Sequence, residues 1–170
     1  PERSVIARVT AHDNLYVLRS LTKFYAIPGL RAGYLAGPEG GIARLASSKE
    51  PWTLSTPALE AAKACLHEDV YRRRTLEEIP SLRRRLAEGL EEIGLTVFPS
   101  EANYILARIE TENMTTADLA ATLRERGLLI RDCADFTPLD NRYLRVAVRS
   151  AGENRRLVEE MQRVFLNPVP

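Results

Sequence analysis

The sequence predicts an α/β protein. Short apolar runs typical of strands alternate with stretches in which apolar residues recur every three or four positions, as on one face of a helix. The chain has 170 residues, of which 45% are hydrophobic, and this is enough for one ordinary globular core. No apolar run approaches the roughly 18 to 20 residues of a membrane helix. The formal net charge of +1 gives no overall field for nucleic acid or an anionic membrane, so we expect a cytoplasmic protein without either partner.

The first predicted elements are two strands, a helix and a connection. Residues 14–18 predict a buried strand, and residues 32–36 predict a second one after the turn at Pro28 and Gly29. A helix is expected over 39–47, and a proline-bracketed connection follows it. A buried strand of an α/β sheet needs neighbours on both sides, which the following residues hardly provide. We therefore expect the chain to be the C-terminal portion of something longer.

Helical periodicity dominates from residue 57 to residue 93. It predicts one helix that includes Ala58 and Leu66, and a second, from Leu76 to Ile93, that Pro80 kinks or restarts. The remaining predicted elements are strands over 95–98, 103–109, 128–131 and 143–148, a helix from Thr115 that Gly127 ends, and a closing helix with Leu157, Met161, Val164 and Phe165 on one face. Together they predict a small sheet covered by helices.

Chemistry-bearing residues follow the first predicted strand directly. Ser20, Thr22 and Lys23 are close together, and Arg31 comes eight residues after the lysine. Hydroxyls and a guanidinium suit a phosphate dianion, because each phosphate oxygen accepts several hydrogen bonds. A lysine amine that loses its proton readily attacks a carbonyl to form a Schiff base. The combination points to pyridoxal 5′-phosphate, which carries an aldehyde and a phosphate; a surface lysine beside an ordinary turn is the alternative.

Two arginines nearer the C-terminus are candidates for binding a substrate anion. In the predicted strand over 143–148, alternate residues are apolar, so Arg145 points away from the apolar face. Arg131 closes the apolar run 128–130, where its charge needs a carboxylate, a phosphate or solvent. A structural ion pair is the alternative for each arginine.

These segments carry a resemblance to a known family. The run LTKFYAIPGLR (residues 21–31) resembles the Schiff-base lysine segment of class I and II aminotransferases, which are pyridoxal-phosphate enzymes of fold type I. The runs LIRDCADF (129–136) and YLRVAVR (143–149), with Glu153 and Asn154, make it most similar to the threonine-phosphate decarboxylases of cobalamin biosynthesis. Histidinol-phosphate aminotransferases are the next most similar group. The resemblance covers essentially the whole chain, and only the C-terminal part of such an enzyme.

The resemblance implies a pyridoxal-phosphate-dependent transferase-like fold. Residues 1–49 would form the C-terminal part of the large, mostly parallel cofactor domain that holds the Schiff-base lysine. Residues 50–170 would form the connecting helices and the small C-terminal domain. Such enzymes are homodimers. Because the residues that contact the cofactor ring would lie upstream, we expect the isolated chain to bind the cofactor poorly and to catalyse little.

The resemblance also implies roles for individual residues in binding the cofactor. Lys23 matches the lysine that forms the Schiff base and later moves protons at the substrate carbon. Arg31, with Ser20 and Thr22, matches the cofactor phosphate site.

A second group of residues matches the substrate site. Arg145 matches the arginine that holds the substrate carboxylate, Arg131 matches a second arginine at the phosphate end, and Asn103 matches a residue on the substrate side. The implied reaction is decarboxylation of L-threonine O-3-phosphate to (R)-1-aminopropan-2-yl phosphate. The alternatives are transamination of an amino-alcohol phosphate such as histidinol phosphate, or a catalytically incomplete C-terminal fragment of either enzyme.

No metal site is predicted. Cys65 and Cys133 lie far apart with no CxxC pattern, and His12 and His67 are the only imidazoles. The arginine triplets at 72–74 and 83–85 are interleaved with glutamates at helical spacing. This predicts a solvated, salt-bridged helix face rather than a nucleic-acid surface.

Overall fold

The computed structural model describes residues 4–111 and 113–166, which belong to two compact units, Pro1–Arg73 and Arg74–Pro170. The division falls inside one long helix. The predicted division into residues 1–49 and 50–170 concerns the domains of the related enzymes and not the compactness of the chain. It stays a prediction.

The first unit contains one antiparallel strand pair, β1 (Val17–Ser20) with β2 (Gly33–Ala36), in which Ser20 lies opposite Gly33. A 3-10 helix (Ile6–Ala11) precedes the pair, and a short one (Pro28–Leu30) lies between the strands. The strand at 32–36 is thereby confirmed, but the buried strand over 14–18 is not. The observed strand begins at Val17, and Leu18 is 77% exposed, because β1 pairs with one strand only among the described residues.

Two helices complete the first unit, α1 (Glu39–Ser48) and α2 (Thr56–Leu66), and both agree with the sequence analysis. Helix α2 begins where Ser55 caps it, since the Ser55 hydroxyl accepts a hydrogen bond from the Ala58 N–H. Ala62 of α2 packs with Leu21 and Ala32 in a small buried cluster. This cluster fixes the segment that follows β1 against the segment that precedes β2.

The second unit is built on a four-stranded antiparallel sheet, with the order β3-β4-β6-β5. The strands are β3 (Leu95–Val97), β4 (Tyr104–Ile109), β5 (Arg131–Asp132) and β6 (Tyr143–Ala147). Every second residue of β4 and β6 is buried, as the pleat requires. The core beneath this face is formed by Leu86, Leu90, Ile105, Ala107, Ile109, Leu119, Leu123, Leu144, Val146, Leu157, Met161 and Val164 with their neighbours.

Three helices cover the buried face: α3 (Asp69–Glu92), α4 (Thr116–Glu125) and α5 (Ala151–Leu166). Helix α3 is continuous through Pro80, so the proline does not begin a new helix as one interpretation had it. The predicted salt-bridged face is present at Arg74, whose guanidinium lies 2.7 Å from the Glu78 carboxylate. At the start of α5, hydrogen bonds from Ser150, followed by those from Arg149, lower the pKa of Glu153 to about 2.

Helix α4 begins and ends as the sequence predicts. Thr115 and Asp118 form a capping box, and Gly127 lies just past the end with φ of +72°. The strand over 128–131 is wrong, since only Arg131–Asp132 is a strand. The Leu128 N–H donates to the Leu123 carbonyl 2.9 Å away, so the run leaves the end of α4 without joining the sheet ladder. Leu128 and Ile130 pack against the core, and Leu129 between them is exposed.

No helix in the described ranges is both long enough and apolar enough to cross a membrane.

Core packing of α4 gives a test of this architecture. Leu119 is 0% exposed and Leu129 is 77% exposed, so the same substitution removes a buried side chain at one position and an exposed one at the other. We expect Leu119→Ala to lower the free energy of unfolding by about 2–5 kcal/mol. Leu129→Ala should change it by less than about 0.5 kcal/mol. Urea denaturation followed by circular dichroism measures both, and equal losses would contradict the assignment of the core.

Candidate active site

Lys23 lies in a turn that follows β1 directly. The Tyr25 N–H donates to the Leu21 carbonyl at 3.1 Å, and the Ile27 N–H donates to the Thr22 carbonyl at 3.0 Å. These two bonds close the backbone around the lysine, whose side chain is exposed. The turn therefore presents the amine from a segment whose backbone is fixed.

Two hydroxyls lie beside the lysine. Ser20 Oγ and Thr22 Oγ1 are 2.8 Å apart, and the Thr22 N–H donates to Ser20 Oγ at 3.4 Å. Thr22 is only 6% exposed, so its position is fixed by packing as well as by hydrogen bonds. Both hydroxyls are predicted members of one site, and the structure brings them together.

Arg31 reaches the same part of the first unit through the backbone. The Leu21 N–H donates to the Ala32 carbonyl at 3.1 Å, which joins the segment with Thr22 and Lys23 to the segment with Arg31. Arg31 has a left-handed backbone with φ of +52°, and its Nη1 donates to the Pro28 carbonyl at 3.2 Å. The rest of its exposed guanidinium is available to an anion.

A close approach of the two strands depends on Gly33. A Cβ atom at this position would lie 2.7 Å from the Arg19 carbonyl oxygen, which is too short for a real contact. Because the obstacle is backbone, a side chain at residue 33 would push β2 away from β1 at Ser20.

Three aromatic rings, those of Phe24, Tyr25 and Tyr71, pack together at the lysine turn. The Tyr71 hydroxyl donates to the Phe24 carbonyl at 3.0 Å, and the Tyr25 and Tyr71 rings stack with their centroids 5.8 Å apart. Burial raises the pKa of Tyr25, and the nearby Cys65 adds to the effect. No local sequence pattern predicts this contact, because 47 residues separate Phe24 from Tyr71.

The chemistry of this group fits a ligand with a phosphate and an aldehyde. Hydroxyls and a guanidinium bind phosphate oxygens, and an exposed lysine amine is a nucleophile toward a carbonyl. Lys23, Ser20, Thr22 and Arg31 all belong to two segments that the Leu21–Ala32 hydrogen bond joins.

The second unit carries the two predicted substrate arginines on neighbouring strands. Arg131 of β5 lies directly opposite Arg145 of β6 in the antiparallel register. Like charges directly opposite each other destabilise a strand pair, so bound anionic groups that offset these charges would stabilise the arrangement. The structure therefore places the two predicted residues next to each other.

Arg145 lies over the ring of Tyr104, with its guanidinium carbon 4.9 Å from the ring centroid. It is exposed, while Leu144 and Val146 on either side of it are buried, as the alternation predicts. Within the described ranges no carboxylate pairs with Arg145, so the alternative of a structural ion pair is not supported there.

Arg131 has an ion-pair partner, Asp135, whose carboxylate accepts a hydrogen bond from its Nη2. Its guanidinium carbon also lies 5.3 Å from the centroid of the Phe136 ring. Both partners belong to the RDCADF run, and neither is among the predicted site residues. Their positions, four and five residues after Arg131, are the sequence signal that could have indicated these contacts.

Asn103 precedes β4 and sits beside Tyr104, the residue under Arg145. Its carbonyl oxygen accepts a hydrogen bond from the Val148 N–H at 2.9 Å, and its side chain is exposed. The structure thus places Asn103 at the end of the ladder that carries Arg145. Its part in binding a substrate stays a prediction.

The structure holds no cluster of three or more potential metal ligands in the ranges it describes. Cys133 is buried, and this burial raises the pKa of its thiol against the opposing influence of Arg145 and Arg131. A thiol of this kind is a core residue rather than a nucleophile.

Comparison with models of known families tests the family resemblance of the lysine turn and the two arginine strands. The model for "Aminotransferase class I and II" matches residues 2–161. The chain belongs to this family. The match includes the lysine turn and both arginines, and it confirms the resemblance on which the sequence analysis relied.

Relatives within the family include two kinds of enzyme. A threonine-phosphate decarboxylase of Salmonella typhimurium is 37% identical over 99% of this chain and 46% of its own length. A histidinol-phosphate aminotransferase of Methanocella arvoryzae is 32% identical over 89% of this chain and 41% of its own length. The chain thus spans about half the length of the curated relatives it matches.

Solved structures confirm the predicted fold. The histidinol-phosphate aminotransferase of Clostridium acetobutylicum matches with a TM-score of 0.88 and 30% identity, over 98% of this chain and 50% of its own. The L-threonine-O-3-phosphate decarboxylase of Porphyromonas gingivalis matches with a TM-score of 0.80 and 28% identity, over 95% of this chain and 50% of its own. The family consists of pyridoxal-phosphate-dependent enzymes, as the sequence analysis expected.

The close approach at Gly33 gives a test of how the lysine turn is held. We expect Gly33→Ala to lower the free energy of unfolding by about 1–3 kcal/mol, because the new Cβ meets the Arg19 carbonyl. Gly29→Ala is the matched control, since nothing lies within 4 Å of a Cβ there. Its effect should stay within about 0.5 kcal/mol. Faster exchange of the Leu21 amide hydrogen in Gly33→Ala alone would show that the β1–β2 contact is weakened at the lysine turn. Equal effects of the two variants would contradict the proposed role of Gly33.

Proposed function

We propose that the protein carrying this chain is a pyridoxal-phosphate-dependent decarboxylase of L-threonine O-3-phosphate. The observation that carries the proposal is the adjacent pair Arg131 and Arg145, in a chain 37% identical to the Salmonella typhimurium threonine-phosphate decarboxylase. A substrate with a carboxylate and a phosphate has two anionic groups, one for each arginine. The role of such an enzyme in cobalamin biosynthesis is part of the same proposal.

The cofactor would be held by the lysine turn of the first unit. When bound, pyridoxal 5′-phosphate supplies an aldehyde for a lysine amine and a ring that accepts the electron pair of the bond that breaks. Lys23 is the amine in this proposal. Ser20, Thr22 and Arg31 would bind the phosphate, the first two as neighbouring hydroxyls and the third as a charged donor.

The substrate residues have separate tasks. Arg145 would bind the substrate carboxylate, because it has no carboxylate partner of its own among the described residues and a planar guanidinium binds carboxylate in a two-point fork. Arg131 would bind the phosphate, and the side chain of Asn103 would contact the substrate from the end of β4. By fixing the carboxylate, Arg145 sets which bond to Cα is oriented for cleavage. Lys23 would return a proton to Cα after CO2 leaves.

Transamination of histidinol phosphate is the second candidate. It is supported by the TM-score of 0.88 to the Clostridium acetobutylicum histidinol-phosphate aminotransferase and by the Methanocella arvoryzae relative. The same lysine and arginines would serve this reaction. The third candidate is a catalytically incomplete polypeptide, because the chain spans about half the length of these enzymes.

The wider setting belongs to the same proposal. We place the protein in the cytoplasm as a homodimer, with residues 1–49 contributing to the cofactor domain and residues 50–170 to the connecting helices and small domain. Residues 50–170 contain both arginines, and residues 1–49 contain the lysine turn.

The deciding experiment uses the complete gene product, supplied with pyridoxal 5′-phosphate. One reaction contains O-phospho-L-threonine without an amino acceptor, and the other contains histidinol phosphate with 2-oxoglutarate. Stoichiometric CO2 in the first reaction supports the decarboxylase, and glutamate formed in the second supports the aminotransferase. No product in either reaction, with cofactor bound, would contradict both enzymatic candidates.

Lys23 gives one test of the proposed function. We expect Lys23→Ala to lower kcat at least about 100-fold, because the variant loses the amine that moves the proton at Cα. Lys49→Ala is the matched control, since Lys49 is also an exposed lysine of the first unit and should leave kcat unchanged. Steady-state rates of CO2 release measure both variants, and near-normal turnover by Lys23→Ala would exclude the proposed role.

Arg145 gives another test of the proposed function. Arg145→Gln should raise KM for O-phospho-L-threonine and lower kcat, because the carboxylate loses both its charge partner and its orientation. We expect kcat/KM to fall by about 100-fold, and Arg145→Lys to recover only part of it, since lysine keeps the charge without the fork. Arg163→Gln, an exposed arginine of α5, is the control. An unchanged kcat/KM in Arg145→Gln would overturn the assignment.

A further inference from the structure

The turn after β5 folds back on Arg131. Cys133 is only 2% exposed, and its N–H donates to the Tyr143 carbonyl at 3.0 Å, which ties the start of the turn to β6. The Phe136 N–H then donates to the Cys133 carbonyl, also at 3.0 Å. A buried anchor and a closed turn thus hold Asp135 and Phe136 against the arginine.

Arg131 and Arg145 consequently have different electrostatic environments. The Arg131 guanidinium donates to the Asp135 carboxylate, whereas Arg145 lies over the Tyr104 ring and forms no ion pair with a carboxylate of the described residues. The side chains of Arg131 and Asp135 are 48% and 64% exposed, so their ion pair is accessible from solvent. An anion that binds Arg131 through the same guanidinium edge must displace the carboxylate.

We propose that Asp135 is an internal competitor for Arg131, which occupies the arginine between turnovers and gives it up to the phosphate group of the ligand. This inference rests on the proposed function, in which Arg131 binds the phosphate. Phe136 keeps its place during the exchange, because a ring 5.3 Å from the guanidinium carbon leaves the edge of the fork to the anion. Asp135 is a positioning residue and touches no reacting atom.

The competitor serves product release. In decarboxylation the phosphate stays on the product, so Arg131 binds substrate and product alike, and such uniform binding does not accelerate the chemical step. A carboxylate that returns to Arg131 lowers the affinities for substrate and for product by the same factor. It therefore shortens the lifetime of the product complex. Exposed ion pairs have modest strength, so we expect a factor of about two to five.

The test measures binding of inorganic phosphate to the cofactor-loaded complete protein, in which the cofactor already occupies its own phosphate site. By isothermal titration, Asp135→Asn should bind phosphate about two to five times more tightly than the wild type. Asp140→Asn is the matched control, because Asp140 pairs with Arg142 in the same β5–β6 connection and its change removes the same charge. Asp135→Glu should retain the wild-type affinity.

A double variant separates a specific contact from a general charge effect. In the Arg131→Gln background, Asp135→Asn should no longer tighten phosphate binding. With O-phospho-L-threonine, Asp135→Asn should lower KM and slow product release by a similar factor. Equal affinity in Asp135→Asn and the wild type, an equal gain in Asp140→Asn, or no phosphate binding by any variant would overturn the proposal.

The two proposals fail in different ways. An enzyme that produces no CO2 from O-phospho-L-threonine, yet shows the gain in phosphate affinity, would contradict the proposed reaction and leave the competition at Arg131 intact. An active decarboxylase without the gain would contradict the role of Asp135 alone.

Discussion

The pleat of β6 is the constraint on which the small sheet and its surface depend. Leu144 and Val146 are buried at 0% and 1% exposure, and the core beneath them closes only when they face inward. Because the side-chain period of a strand is two, Arg145 between them must face outward. The register with β5 then brings Arg131 opposite Arg145. Burial of aliphatic side chains on one face therefore creates a pair of positive charges on the other.

The lysine turn depends on a different kind of constraint, which is a contact between backbones. The Leu21–Ala32 hydrogen bond joins two segments eleven residues apart, and Gly33 allows them to meet. Packing at Thr22 and the rings of Phe24, Tyr25 and Tyr71 keep the turn in shape. Backbone contacts, packing and the contact between the Ser20 and Thr22 hydroxyls thus hold this group of site residues.

Features with a local signal could be predicted from the sequence. The capping box at Thr115, the stop at Gly127 and the alternation around Arg145 follow from residues a few positions apart, and the structure confirms them. Features that depend on tertiary contacts could not be predicted in this way. The apolar run 128–130 became the exit of α4, and the contact of Tyr71 with Phe24 has no local signature. The opposition of Arg131 and Arg145 depends on strand register, which spacing along the chain does not fix.

The different surroundings of the two arginines make them respond differently to dissolved ions. The contact between Arg131 and Asp135 joins two solvent-exposed charges, and such a contact weakens as counterions screen it. Arg145 rests on the Tyr104 ring, whose attraction is short-ranged and involves no second net charge. Rising ionic strength therefore loosens Arg131 more than Arg145. One face of the small sheet therefore holds two arginines whose side-chain contacts differ in their sensitivity to salt: those of Arg131 are sensitive, and those of Arg145 are much less so.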